Sequence, residues 1–333
     1  RTTHRTIVVR IGRSVSPRGA GARQCAARGV VHPKSGHGSC TLRAMEQVGM
    51  VIDGYTLVAP LGEGGAGSVY RATGRGNAGL VALKLLDPAV GRQPEMKERF
   101  EREARALNGL DHPNLIRLVD FGLHDGTPYL VTELLDGQPL DRLLAAQPLP
   151  PELGFELGLG VVAGLAHAHT HQVLHRDLKP ANVFVATLPD GSLHPKLLDF
   201  GLARFFDADR WGSHATLTQE GAIMGTPMYM APEQGFGGRA DERSDVYSAG
   251  VLLYELLAAR PPFDTPDRAS LIRAHALQPV PPISEVRPGL VLQKALVSVI
   301  ERALAKKARE RFFDAADMLR AMHEVPTPAA YYE

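Results

Sequence analysis

The chain has little cysteine: two residues in 333, Cys25 and Cys40, both near its start. Beyond them there is none, which excludes a disulfide framework or a thiolate zinc site as the support of a fold. That absence suits a cytoplasmic protein. Long apolar runs are missing as well. None reaches the roughly 18 residues that a spanning helix needs, and the stretch 251–259 is short and contains Glu255, so no membrane segment is expected. No apolar block follows the first arginines, so a secretory signal is not expected either. Residues 1–44 lack acid entirely, carrying nine Arg/Lys and no Asp or Glu. The formal net charge is only +1. No global pull toward nucleic acid or membrane follows from it, and the remainder of the chain is acidic.

What is present is ordinary globular material, 44% hydrophobic and 22% charged. It suffices for two cores of unequal size, or for one core with tails. Residues 1–48 are rich in Gly, Ser, Arg and Ala and show no sustained period, which reads as a basic disordered leader. A transit peptide or a basic tail for acidic partners are the alternative readings. The chain begins with Arg, and Met45 and Met50 sit just before the first patterned segment, so the leader is open to reading as no part of the native protein.

From residue 55 to 86 short strand-like runs flank a glycine cluster. Residues 94–110 turn helical, with Phe100, Ala104 and Leu107 among charges and Asn108-Gly109 as the stop. Two strands follow, 115–121 and 129–133, with Asp125-Gly126 as their turn. After Gly137 helical patterns dominate: 140–146, 151–171, 244–259, 268–276, 292–305 and 313–323. A strand-rich part thus precedes a helix-rich part, an α+β, two-lobed organisation, with lobes at 55–135 and 138–323 and a tail at 324–333.

Three constellations carry chemistry. The first is Leu61-Gly-Glu-Gly-Gly-Ala-Gly-Ser-Val-Tyr, where Gly62, Gly64 and Gly67 let backbone N–H groups approach phosphate oxygens. Strand-like residues follow these glycines, so the pattern fits a hairpin lid over phosphates better than the strand-to-helix turn of a dinucleotide fold. The second is Val81-Ala-Leu-Lys84, a lysine inside an apolar strand. A buried ammonium needs a partner, and Glu103 on the following helix is a suitable one. A lysine that snorkels to water is the bland alternative. The third is His175-Arg-Asp-Leu-Lys-Pro-Ala-Asn182, followed by Asp199-Phe-Gly201.

With this third constellation the chain closely resembles the eukaryotic-type (Hanks-type) serine/threonine protein kinases, over residues 55–323. The resemblance implies ATP and Mg²⁺ as cofactors and protein substrates as partners. Leu61, Gly62, Glu63, Gly64, Gly65, Ala66 and Gly67 would cover the phosphates. Lys84 would hold the α- and β-phosphates and Glu103 would hold Lys84. Asp177 would take or orient the proton of the attacking hydroxyl, and Lys179 would neutralise charge on the γ-phosphate. Asn182 and Asp199 would bind the metal ions, which suits hard cations. Val69 and Ala82 would lie above adenine, Phe184 below it, and Glu133 and Leu135 along its edge, with Thr132 gating a back pocket. Leu107, Leu118, His175 and Phe200 match the stack that aligns the lobes.

The lysine at 179 and Thr226, in Gly225-Thr-Pro, match the serine/threonine form. Ala231-Pro-Glu233 closes the activation segment, with Glu233 expected to pair with Arg311 and Asp245 expected to brace the catalytic loop. Arg176 implies control by a phosphorylated loop, with Ser213, Thr216 and Thr218 as candidates and a transient homodimer as the means of phosphorylation in trans. Phe100-Glu-Arg-Glu-Ala-Arg and the Asp111-His-Pro-Asn turn point to bacterial members. The segment 187–194 is an apparent insertion that reads as a hairpin tip. A catalytically dead kinase-like scaffold is the alternative, but it requires a lost lysine, aspartate or glycine, and none is lost. A small-molecule phosphotransferase of related fold would lack Ala-Pro-Glu and Gly-Thr-Pro.

Overall fold

The structure, a computed structural model, describes residues 47–64, 67–77, 79–88, 94–200 and 227–326. Its first lobe is an antiparallel sheet of β1 (Val51–Ile52), β2 (Tyr55–Gly64), β3 (Gly67–Thr73), β4 (Leu80–Leu85), β5 (Leu118–His124) and β6 (Thr127–Glu133). The strand order is β1-β2-β3-β4-β6-β5. Alternation builds it: Tyr70 and Ala72 on β3, and Val81 and Leu83 on β4, point into one small core with Leu57 and Val131. The helix α1 (Pro94–Asn108) lays Met96, Phe100 and Ala104, spaced one turn apart, against Leu86 and Leu130.

The second lobe follows β7 (Gly137–Pro139) and begins with α2 (Leu140–Ala146) and α3 (Pro151–Thr170). A three-stranded sheet of β7, β8 (Val183–Thr187) and β9 (Leu193–Leu197) lies between the lobes. Then come α4 (Pro232–Gly235), α5 (Glu242–Ala258), α6 (Arg268–Leu277), α7 (Ile283–Val286), α8 (Lys294–Ala303) and α9 (Ala315–His323). α5 is buried on nearly all sides, as its near-continuous apolar run from Val246 to Ala258 requires. α3 packs against it closely, because a Cβ on Gly154 would stand 2.8 Å from the Leu256 carbonyl oxygen.

The expected elements agree with these to within a few residues, with some corrections. The folded chain begins before the expected end of the leader: Tyr70 Oη donates to Gln47 Oε1 at 2.6 Å, and the Gly49 N–H donates to the Leu57 carbonyl. At the other end, Val325 lies in the core rather than in a tail. β5 starts at Leu118, because Leu115 instead bridges Leu197 of β9. β1 and the small sheet, whose strands are two to five residues long, are too short to show a period of their own. The 187–194 segment is a hairpin tip, with Gly191 at φ +84° and Asp190 accepting from the Ser192 N–H.

Candidate active site

Gly64 pairs with Gly67 where β2 turns into β3. Gly67 sits at φ +130°, and a Cβ there would run into the Leu85 carbonyl oxygen, so no other residue fits without displacing the strand. Gly65 and Ala66 lie outside the described residues. Behind the hairpin lies a cavity of about 290 Å³. Leu61, Gly62, Val69 and Ala82 form its roof, Phe184 its floor, and Glu133, Leu134 and Leu135 its edge. Lys84 and Asp199 stand at the far end, and past Thr132 the space continues among Leu107, Leu118 and Phe200. Such a flat apolar slot, polar at one end, suits an aromatic base that carries phosphates.

On the other side of the cleft, the catalytic loop runs from the end of α3 to a short 3-10 turn, Pro180–Asn182. Lys179 Nζ is 2.7 Å from Asp177 Oδ2. Asn182 Nδ2 donates to the Asp177 carbonyl at 2.7 Å and to its Oδ2 at 3.0 Å. Arg176 and Asp199 adopt φ of +67° and +55°, unfavourable for residues with a Cβ and costing on the order of 1–3 kcal/mol each. Asp245 holds the loop in that shape. Its carboxylate accepts the N–H of His175 and of Arg176, each at 2.7 Å, and Nε2–H of His169 at 3.1 Å. The tautomer follows from the Ala315 N–H, which donates to His169 Nδ1. Burial alone would raise the Asp245 carboxyl, but the bond from His169, the nearby imidazoles of His169 and His175 and the Arg176 N–H outweigh it and hold it below the usual range.

The activation-segment end is anchored as the sequence leads one to expect. Arg311 NH1 and NH2 each lie 2.8 Å from a Glu233 oxygen, and the guanidinium also donates to the carbonyls of Arg243, Ala305 and Lys306. The His175 and Phe200 rings meet at 4.6 Å, tilted by 50°, and Phe200 lines the cavity with Leu107 and Leu118. Ser213, Thr216, Thr218 and Thr226 lie outside the described residues.

One expected pair is absent. Lys84 Nζ lies 2.7 Å from both oxygens of Asp199, not on Glu103. Glu103 instead accepts from Arg99 at 3.2 Å, one turn earlier on α1. The physical reason is local competition: a bidentate carboxylate at the same end of the cleft satisfies Lys84, and an i,i+4 arginine satisfies Glu103. Lys196 carries no motif in the sequence, and Asn114 stands there only as the end of the Asp111-His-Pro-Asn turn. Lys196 bonds Glu133, and the buried Asn114 bonds the Pro195 carbonyl. A lysine between the apolar residues Pro195 and Leu197 was the available signal, but it stands on a strand too short to be recognised.

The profile of the protein kinase domain matches residues 55–322. The chain belongs to the protein kinase family. Within it, bacterial serine/threonine kinases are among the chain's relatives. Serine/threonine-protein kinase pkn2 of Myxococcus xanthus is 38% identical over 278 residues, covering 82% of this chain and 33% of that protein. Serine/threonine-protein kinase PknD of Mycobacterium tuberculosis is 35% identical, covering 87% of this chain and 42% of that protein. The chain therefore spans less than half the length of these curated relatives. Among solved structures, the kinase domain of Mycobacterium tuberculosis PknI superposes with a TM-score of 0.63 at 30% identity, covering 83% of this chain and 98% of that one. Together they establish the two-lobed kinase fold, and the family uses ATP. Among the described residues no helix is long and apolar enough to cross a membrane.

Proposed function

We propose that this chain transfers the γ-phosphate of Mg-ATP to serine and threonine hydroxyls of proteins. The observation that carries the proposal is the convergence of Asp177, Lys179 and Asn182 within hydrogen-bond distance, together with Lys84 and Asp199 at the polar end of the base-sized slot. The Asp177 carboxylate orients the acceptor hydroxyl and takes its proton as the oxygen–phosphorus bond forms. The bond between the γ-phosphorus and the bridging oxygen breaks, and ADP leaves. Lys179 and Lys84 place fixed positive charge where negative charge spreads. Asn182 commits its amide nitrogen to Asp177, which turns its oxygen toward use as a hard donor. With the Asp199 carboxylate it makes a donor set that fits Mg²⁺. The ion, when bound, neutralises phosphate charge.

A scaffold without activity is disfavoured, since every residue type the chemistry needs is in place. Regulation is read from Arg176, which directly precedes Asp177 and whose pKa is lowered by burial. A phosphate on Ser213, Thr216 or Thr218, placed in trans by a second copy in the cytoplasm, gives it a dianionic partner.

Incubation with Mg-ATP and a generic basic protein, followed by phosphoamino acid analysis and mapping of the chain's own phosphates, tests this. Phosphoserine and phosphothreonine on the acceptor are expected. ATP binding without transfer, even after another kinase has phosphorylated the loop, would support the scaffold instead.

A further inference from the structure

We propose that Lys196 is a positioning residue for nucleotide: it ties the strand beneath the base to the first residue of the edge the base pairs with, and so sets the slot. Lys196 stands directly opposite Phe184 in the β8–β9 ladder. Cross-strand partners project to the same face, so the lysine rises beside the slot's floor toward the first lobe. Its ammonium lies 2.9 Å from Glu133 Oε1 and 3.1 Å from the Leu115 carbonyl oxygen. The two side chains are 15% and 22% exposed, so the pair is screened far less than a surface ion pair.

Glu133 is fixed from the other direction too. Its Oε1 accepts the Arg117 N–H at 3.0 Å and its own N–H donates to the Arg117 carbonyl at 3.1 Å. The segment between these contacts is woven into β9. The Ile116 N–H donates to the Leu197 carbonyl, the Leu197 N–H to the Asn114 carbonyl, and Asn114 Nδ2 to the Pro195 carbonyl at 2.9 Å. The ammonium therefore sits where floor strand, loop and slot edge meet. Asp177, Lys179 and Asn182 bond one another, and the loop just before Asp177 is held by Asp245 through the His175 and Arg176 N–H groups. Loss of Lys196 charge should loosen the slot around adenine and leave the phosphoryl-transfer step intact.

This inference rests on the proposed ATP chemistry, and its test separates the two. Adenosine and ADP affinities are measured by calorimetry for the full chain, Lys196→Met and Lys196→Arg, beside steady-state kinetics and thermal unfolding. Lys196→Met is expected to weaken adenosine and ADP by about the same factor, roughly tenfold. It should raise the KM for ATP by that factor with kcat within about twofold, which is the pattern of lost uniform binding. Lys196→Arg should restore binding, which a loss of packing alone would not predict. If Lys196→Met does not fold, Glu133→Gln carries the same measurement, since it removes the charge and keeps an acceptor for the Arg117 N–H. Unchanged adenosine affinity overturns the inference. So does a change in kcat, upward or downward, at constant KM, which would make the pair a restraint on lobe motion. Failure of the wild-type chain to bind adenosine would overturn the ATP reading itself, and this inference with it.

Discussion

Asp245 and Glu103 are acidic residues that both influence Arg176, and they are held in opposite ways. The Asp245 side chain is 1% exposed and bonds two backbone N–H groups and a histidine. Glu103 is 21% exposed on a helix face and bonds an arginine on its own helix. The first arrangement is set by burial and leaves no alternative partner. The second can be exchanged at small cost, since an i,i+4 pair of this kind is worth only about 0.3–0.5 kcal/mol. The catalytic loop is thus built into the second lobe, while the lysine–glutamate link that the family resemblance implies is not made in this structure, where Lys84 bonds Asp199.

The comparison breaks first if Asp245 proves dispensable. Asp245→Ala leaves the His175 and Arg176 N–H groups buried without their acceptor, and should cost about 3–5 kcal/mol of stability together with transfer activity. Chemical denaturation that shows less than about 1 kcal/mol would contradict the account. Arg311→Met, which strips Glu233 of its buried partner, should cost about 3 kcal/mol by the same measurement.

A pH series sharpens the contrast between buried and exposed groups. Burial, and then the Lys306 charge, push the His275 imidazole down to about 4 from 6.5. As pH falls below 6.5 the unfolded chain takes up this proton while the folded chain does not. Stability present above 6.5 is therefore lost between 6.5 and 4, on the order of 3 kcal/mol. His112, His167 and His175 are lowered by burial as well and act in the same direction. His275→Gln should give a flatter profile of Tm against pH over that window. The smallest effect is expected for Glu103→Gln, at most about 0.5 kcal/mol in stability. A loss several times larger would mean that Glu103 has a partner beyond Arg99 in solution.

What the sequence made legible was what local pattern and spacing determine. Phe100, Ala104 and Leu107 mark α1, the alternation in β3 and β4 marks the sheet, and the octet from His175 to Asn182 marks the loop that folds as a unit. The Glu233–Arg311 pair was legible because both residues sit in recognisable motifs 78 positions apart. The partner of Lys84 was not, because it depends on how far α1 stands from β4, and packing rather than pattern fixes that distance. Lys196 was missed for a related reason. Its role exists only once β9 lies beneath the first lobe, and five-residue strands carry too little period to announce that placement.

The most direct test of the central claim compares the full chain with Asp177→Ala for phosphate transfer from labelled Mg-ATP, with ADP affinity measured on the same samples. Asp177 bonds Lys179 and Asn182 and does not line the base slot. The account predicts a loss of transfer of about 10²–10⁴-fold with ADP affinity within about twofold. Transfer that survives the substitution would contradict it, and would move the proton acceptor away from Asp177.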